Sequence, residues 1–175
     1  GIYEGCANNA LGCELVSVAD TQVSKFAVDQ AGTVTPIGIA NQVVAGGRVV
    51  DVACYHGSLY VLSTQSPNAT LSNFTTDTLT TINTFIMAGD DSATAFAFQG
   101  DSYVFVGSNG INNGTSNINV LDFAGMEVED FQVPGPVAAP NSRRVADLKV
   151  CGNLLIVAKV WNQTDGSQVD SLAIV

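Results

Sequence analysis

The chain is short of charge, shorter of basic residues, and has one histidine, and each shortage removes a class of function. Of its 175 residues 13% are charged, with sixteen acidic against six basic and a formal net charge of −10. A chain so balanced repels phosphate backbones, and nucleic acid is not an expected partner. The one basic cluster, Arg143, Arg144 and Lys149, reads as a solvated edge. No apolar run reaches the ~18 to 20 residues of a membrane helix; the longest is broken at Lys149 and Lys159. With His56 alone and no G-x-S-x-G elbow, Ser-His-acid chemistry has neither base nor nucleophile, so no catalytic residue is expected. No cysteine pair has zinc-ligand spacing, so neither a metal centre nor a cofactor is expected. Gly46-Gly47 and Gly107-Ser108-Asn109-Gly110 read as turns and not phosphate cradles, since no helical pattern follows them.

Apolar content, at 46%, is enough for one ordinary core, and it is distributed in short runs of period two. Ala95 to Val106 holds two such runs folded back at Gln99-Gly100-Asp101-Ser102, the signature of a tight hairpin. The pattern recurs around Gly57 and around Gly152, at intervals of 43 and 52 residues, a period that points to a propeller or solenoid. In each of the first three units a third strand ends on an aspartate: Asp29, Asp77 and Asp122. After a short turn comes an outer strand.

The expected fold is therefore all-β, a propeller-like array of four-stranded antiparallel blades, about 3.5 to 4 in number and incomplete at both ends. The units run approximately 1–48, 49–92, 93–143 and 144–175 in a single domain. The first shows strands at Glu14–Val18, Val23–Asp29 and Gly32–Ile39, with residues 1–12 as a weak candidate for its inner strand. In the last unit the third strand runs to Val175, and if the register holds the next position is that of the missing aspartate. An ordinary β-sandwich with accidentally similar hairpins is the competing fold.

Ala95 to Gly107 with Ile118 to Asp122, and Val145 to Ala158, resemble blades of secreted β-propellers of the LVIVD and choice-of-anchor type. In these an apolar hairpin around glycine precedes a V-x-D strand. The resemblance implies a secreted surface protein and brings no catalytic residue with it. The chain departs from the pattern in lacking Tyr-Ala-Tyr and in its long connections between second and third strands.

Four N-x-S/T sequons start at Asn68, Asn73, Asn113 and Asn162. Asn68, Asn113 and Asn162 fall between second and third strands, and Asn73 falls where a third strand begins. Loops at that position emerge on one propeller face, so N-linked glycans would crowd one rim; unmodified polar loops are the alternative. Cys6, Cys13, Cys54 and Cys151 form an even set, as in an oxidising compartment. Cys6 with Cys13 is the preferred bridge across a short loop, while Cys54 and Cys151 pair or stay free. Acidic groups at Asp90-Asp91, Glu127/Glu129/Asp130 and Asp165/Asp170 lack the spacing of a calcium loop.

Together these features point to an extracellular, N-glycosylated structural protein rather than an enzyme. Val169, Leu172, Ala173, Ile174 and Val175 would form an open edge, which must be paired or it aggregates. The expected partner is another copy or a companion chain adding a strand there to build an oligomer or fibre. The alternatives are part of a larger ligand-binding or hydrolytic propeller and, third, an acidic protein associated with Ca2+ or mineral surfaces.

Overall fold

The computed structural model describes residues 2–9, 12–19, 22–40, 47–75, 80–88, 93–108, 117–133, 144–162 and 168–174. Side chains are described within these from Val23 onward, except at 37–40, 144, 160–162, 168–171 and 173. Every regular element among them is a strand. The first sheet is β1 (Ile2–Asn9), β2 (Gly12–Ala19), β3 (Gln22–Asp29) and β4 (Val34–Ala40). β5 (Arg48–Tyr55), β6 (Ser58–Gln65), β7 (Asn68–Thr75) and β8 (Thr81–Met87) make the second. The third is β9 (Ala93–Gln99), β10 (Tyr103–Ser108), β11 (Asn117–Asp122) and β12 (Glu127–Gln132). β13 (Arg144–Cys151), β14 (Leu154–Asn162) and β15 (Gln168–Ile174) make the fourth.

Each sheet is a meander whose strands neighbour one another in chain order, the arrangement that short connections between alternating strands dictate. The weak candidate at residues 1–12 is β1, so the first sheet has all four strands. Incompleteness, expected at both ends, does not hold for the first sheet; among the described residues the fourth sheet has three strands.

The chain divides into two compact units, Gly1–Ile86 and Met87–Val175, each with its own core. In the first, Val23 of β3 packs with Val49, Val52, Leu59, Val61 and Phe74, joining the first sheet to the second. In the second, Ala95, Ile118 and Val133 pack with Val145, Leu148, Leu155 and Val157, joining the third sheet to the fourth. Strand alternation explains the membership: on β6 and on β14 every second residue turns toward the preceding sheet.

The hairpin turns follow their residues. Tyr55 pairs with Ser58 across His56-Gly57, both at positive φ (46° and 73°), the type I′ geometry whose twist matches the flanking strands. The turn from third to fourth strand has a recurring device. In the first sheet the Asp29 carboxylate accepts from the amides of Ala31 (2.9 Å) and Thr33 (2.8 Å). In the third, Asp122 accepts from Met126 N at 2.8 Å. Donation from the Thr33 amide is the main reason the exposed Asp29 carboxyl sits below its ordinary pKa.

Register corrects the sequence alignment at the equivalent place in the second sheet. Asp29 lies opposite Gly12 and Asp122 opposite Tyr103, the first residues of their second strands. The residue opposite Ser58 is Thr75, and Asp77 lies outside the described residues. Thr75 Oγ1 accepts from Thr80 N at 3.0 Å, a hydroxyl doing what the carboxylates do elsewhere across a turn one residue longer.

A second recurring device was not legible as such: a bulge in each inner strand. Pairing slips between Val49 and Asp51 and between Val145 and Asp147, and each aspartate accepts from the next amide at 2.8 Å. In β9 the slip leaves Thr94 between Ala93 and Ala95. Its hydroxyl lies within reach of the Val145 carbonyl on the fourth sheet and of Gly107 O at 3.3 Å. Beside it the third and fourth sheets come closest. A Cβ added at Gly107 would lie 2.6 Å from Val145 Cγ1 and 2.9 Å from Val145 Cβ. Gly107→Ala is expected to lose about 1–3 kcal/mol by overpacking, read as a lowered urea midpoint with the folded chain's circular dichroism retained.

Candidate functional site

The fourth sheet has two unlike faces. On β14, Leu155, Val157 and Lys159 turn toward the third sheet and are 5%, 0% and 2% exposed. Lys159 sits at the register position of Ser63 in the second sheet and Ser108 in the third, both also buried. Its Nζ donates to the Val133 carbonyl at 3.1 Å, so the buried ammonium ties β14 to the residue that follows β12.

Leu154, Ile156 and Ala158 alternate onto the other face. Opposite residues of an antiparallel pair share a face, so Leu172 joins Ala158 and Ile174 joins Ile156 there. Leu154, Leu172 and Ile174 are 50%, 73% and 68% exposed. The corresponding positions of the third sheet are Ile118, opposite Gly107, and Val120, opposite Phe105, exposed 0% and 7%. Identical places in the blade pattern are thus covered in one sheet and bare in the next. Cys151, paired with Leu154, belongs to this face as an exposed free thiol.

Of the expected edge residues, Val169, Leu172, Ala173 and Ile174 all lie on β15, opposite Trp161, Ala158, Val157 and Ile156. Val175 lies outside the described residues. Among the described residues β15 is hydrogen-bonded to β14 alone, which places it at the edge of the fourth sheet.

The sequons separate. The expected long connection shrinks to Ser66-Pro67 in the second sheet, and Asn68 is the first residue of β7. It borders a shallow depression of about 440 Å³ between this turn and Thr84 and Ile86 of β8, a feature without a sequence signal. Asn73 lies within β7, not at its start. Its Nδ2 donates to Tyr60 Oη at 3.2 Å, and its Oδ1 is buried without a partner. The same burial raises the Tyr60 pKa above its ordinary value. Asn162 is the last residue of β14, and Asn113 lies outside the described residues.

Cys54 is disulfide-bonded and Cys151 is free, so these two do not pair with each other. Only Cys6 and Cys13 remain as partners for Cys54 within the chain, which bears on the expected bridge between them; their side chains lie outside those described. Cys54 packs against the apolar cluster joining the first two sheets. The two cysteines also differ in register: Cys54 lies opposite the second residue of its following strand, Cys151 opposite the first. Alternation therefore turns them to opposite faces of the blade pattern.

His56 occupies the left-handed turn and meets the Tyr55 ring edge-on, 4.1 Å between centroids. Glu127, Glu129 and Asp130 are exposed along β12; Asp90, Asp91 and Asp165 lie outside the described residues. Among the described residues no group of three His, Cys, Asp or Glu is placed to hold a metal ion. No helix among them is long and apolar enough to cross a membrane.

Comparison with known proteins addresses the fold. No protein-family model matches the chain, and no curated protein matches it. A Lactobacillus plantarum protein of solved structure matches with a TM-score of 0.65 and 15% identity over 90% of this chain and 53% of its own. The WD40 repeats of RRP9 match with a TM-score of 0.57 and 16% identity, covering 97% of this chain and 53% of that one. A bifunctional GH43-CE protein of Bacteroides eggerthii matches at 0.61 and 9%, covering 98% and 26%. The chain spans about half the length of the first and second of these and a quarter of the third. The fold is that of a β-propeller, with three strands of its fourth sheet described.

In the native protein Cys151 is expected to react with iodoacetamide without reductant and Cys54 only after reduction, read by peptide mapping. Breaking the Cys54 bridge should cost about 2–4 kcal/mol of stability, whereas Cys151→Ser should leave the denaturation midpoint in place.

Proposed function

We propose that this chain is a secreted, N-glycosylated scaffold protein that works by being completed: β15 receives a fourth strand from neighbouring polypeptide. One observation carries the reading. Among the described residues three sheets have four strands and the fourth has three, with β15 at its edge and Leu172 and Ile174 exposed. Added strands satisfy such an edge through main-chain hydrogen bonds, with little demand on side-chain chemistry. The disulfide at Cys54 and the sequons support an oxidising, extracellular setting.

A second reading, part of a larger ligand-binding or hydrolytic propeller, is favoured by the lengths of the solved structures that match, about twice to four times that of this chain. In that reading the added strand and further blades carry the site.

Size-exclusion chromatography with light scattering on native material should give a particle larger than one chain, with β15 amides protected from hydrogen exchange. A compact monomer whose β15 amides exchange as an open edge overturns the proposal.

The glycans should also discriminate. Asn68 begins a strand beside an open depression, whereas the Asn73 amide is turned inward on Tyr60. Asn68→Gln is expected to remove one glycan from the intact mass and Asn73→Gln to remove none.

A further inference from the structure

The outer strands of the first three sheets are defended unequally. β4, β12 and β8 each stand at the end of the strand order of their sheet. Folded proteins blunt such edges with proline, bulges or charge, because an unpaired strand side is a template for association. β4 carries Pro36 and a register slip against β3. β12 carries Glu127, Glu129 and Asp130, all exposed, and a register slip against β11. β8, read Thr-Ile-Asn-Thr-Phe-Ile-Met, has neither a charge nor a proline. Alternation buries Phe85 and turns Ile82, Thr84 and Ile86 outward, the two isoleucines 56% and 64% exposed. The Thr84 amide donates to Asn83 Oδ1 at 2.8 Å, a local bond that leaves both isoleucines bare.

Beside β8 lies the depression of about 440 Å³, within the span of small-ligand clefts, roughly 300–1,000 Å³. Its described lining carries no charge: amide and hydroxyl groups of Gln65, Thr70 and Thr84 alternate with apolar Pro67 and Ile86. Such a lining suits a sugar, whose rings have polar edges and apolar C–H faces, better than it suits an ion. Asn68 borders it, and the Thr70 that completes the Asn68 sequon lines it too. Asn73, the other sequon of this sheet, is turned inward on Tyr60.

We infer that an N-glycan on Asn68 lies back in this depression with its first sugar over Ile86 and Thr84, and that it guards the edge of β8. The sugar does for β8 what Pro36 does for β4 and the acidic residues do for β12. The inference rests on the reading of this chain as N-glycosylated, and it gives that modification a task at one position.

In the chain secreted from a glycosylating host, peptide mapping should find a glycan on Asn68. Nuclear Overhauser contacts should join its first sugar to the Ile86 methyl groups. Asn68→Gln should aggregate about tenfold faster on warming, as an undefended edge does. Ile86→Lys added to that variant should return the rate to that of the glycoprotein. Asn162→Gln, which removes a sequon starting on β14, should leave the rate unchanged. If Asn68→Gln fails to fold, the contacts measured on the unmutated glycoprotein carry the test alone.

A glycosylated Asn68 without those contacts overturns the guarding role and leaves N-glycosylation standing. So does an aggregation rate that Asn68→Gln does not raise, that Ile86→Lys does not restore, or that Asn162→Gln raises equally. A bare Asn68 beside occupied sequons overturns the inference alone, and a chain secreted without any glycan overturns both it and the glycosylated reading.

Discussion

The constraint on which the rest depends is that the sheets here carry apolar faces that must be covered, as the first and second sheets do for each other and the third and fourth do. A strand pattern such as Leu59, Tyr60, Val61, Leu62, all buried, cannot be half-solvated in the way of a single exposed antiparallel sheet. Stacking sheet on sheet is the solution, and in the second unit the packing is dense enough that even a methyl at Gly107 would crowd Val145. Around that contact the inner-strand bulge frees the Thr94 hydroxyl to reach across, and Lys159 stretches its ammonium to Val133. These polar groups sit at the seam because a bulge leaves backbone groups that must find partners.

That constraint also separates stability from function in this chain. Residues that look chemically suggestive are occupied by the fold: His56 makes a turn, and Asp29 and Asp122 hold the outer hairpins. Asp51 and Asp147 hold bulges. What is left over among the described residues is a surface, the face of the fourth sheet that carries Leu154, Leu172 and Ile174. Large exposed apolar groups on one contiguous sheet face mark an interaction site more reliably than any isolated polar residue in this chain.

The two unlike cysteines show how register converts sequence into role. Cys54 and Cys151 both close inner strands, and in the sequence they look alike. A shift of one position relative to the following strand turns Cys54 into the seam between two sheets and Cys151 onto the uncovered face. The Asn68 and Asn73 sequons part for the same reason, since a strand's alternation and its hairpin length are not carried by the tripeptide.

Periodicity alone determined the all-β fold, the hairpins around Gly57, Gly100 and Gly152, and the division into four meanders, because short-range alternation and turn chemistry are local properties. Strand β1 was barely legible, its pairing with β2 being irregular between Glu4 and Asn8. The place of Thr75 was missed because an aspartate two residues on fitted the pattern better than a hydroxyl did. Only the tertiary structure decided which face of each strand is covered, which cysteine is bonded, and where Val145 meets Gly107. Those depend on registers accumulated over several strands, and a slip of one residue inverts every face downstream.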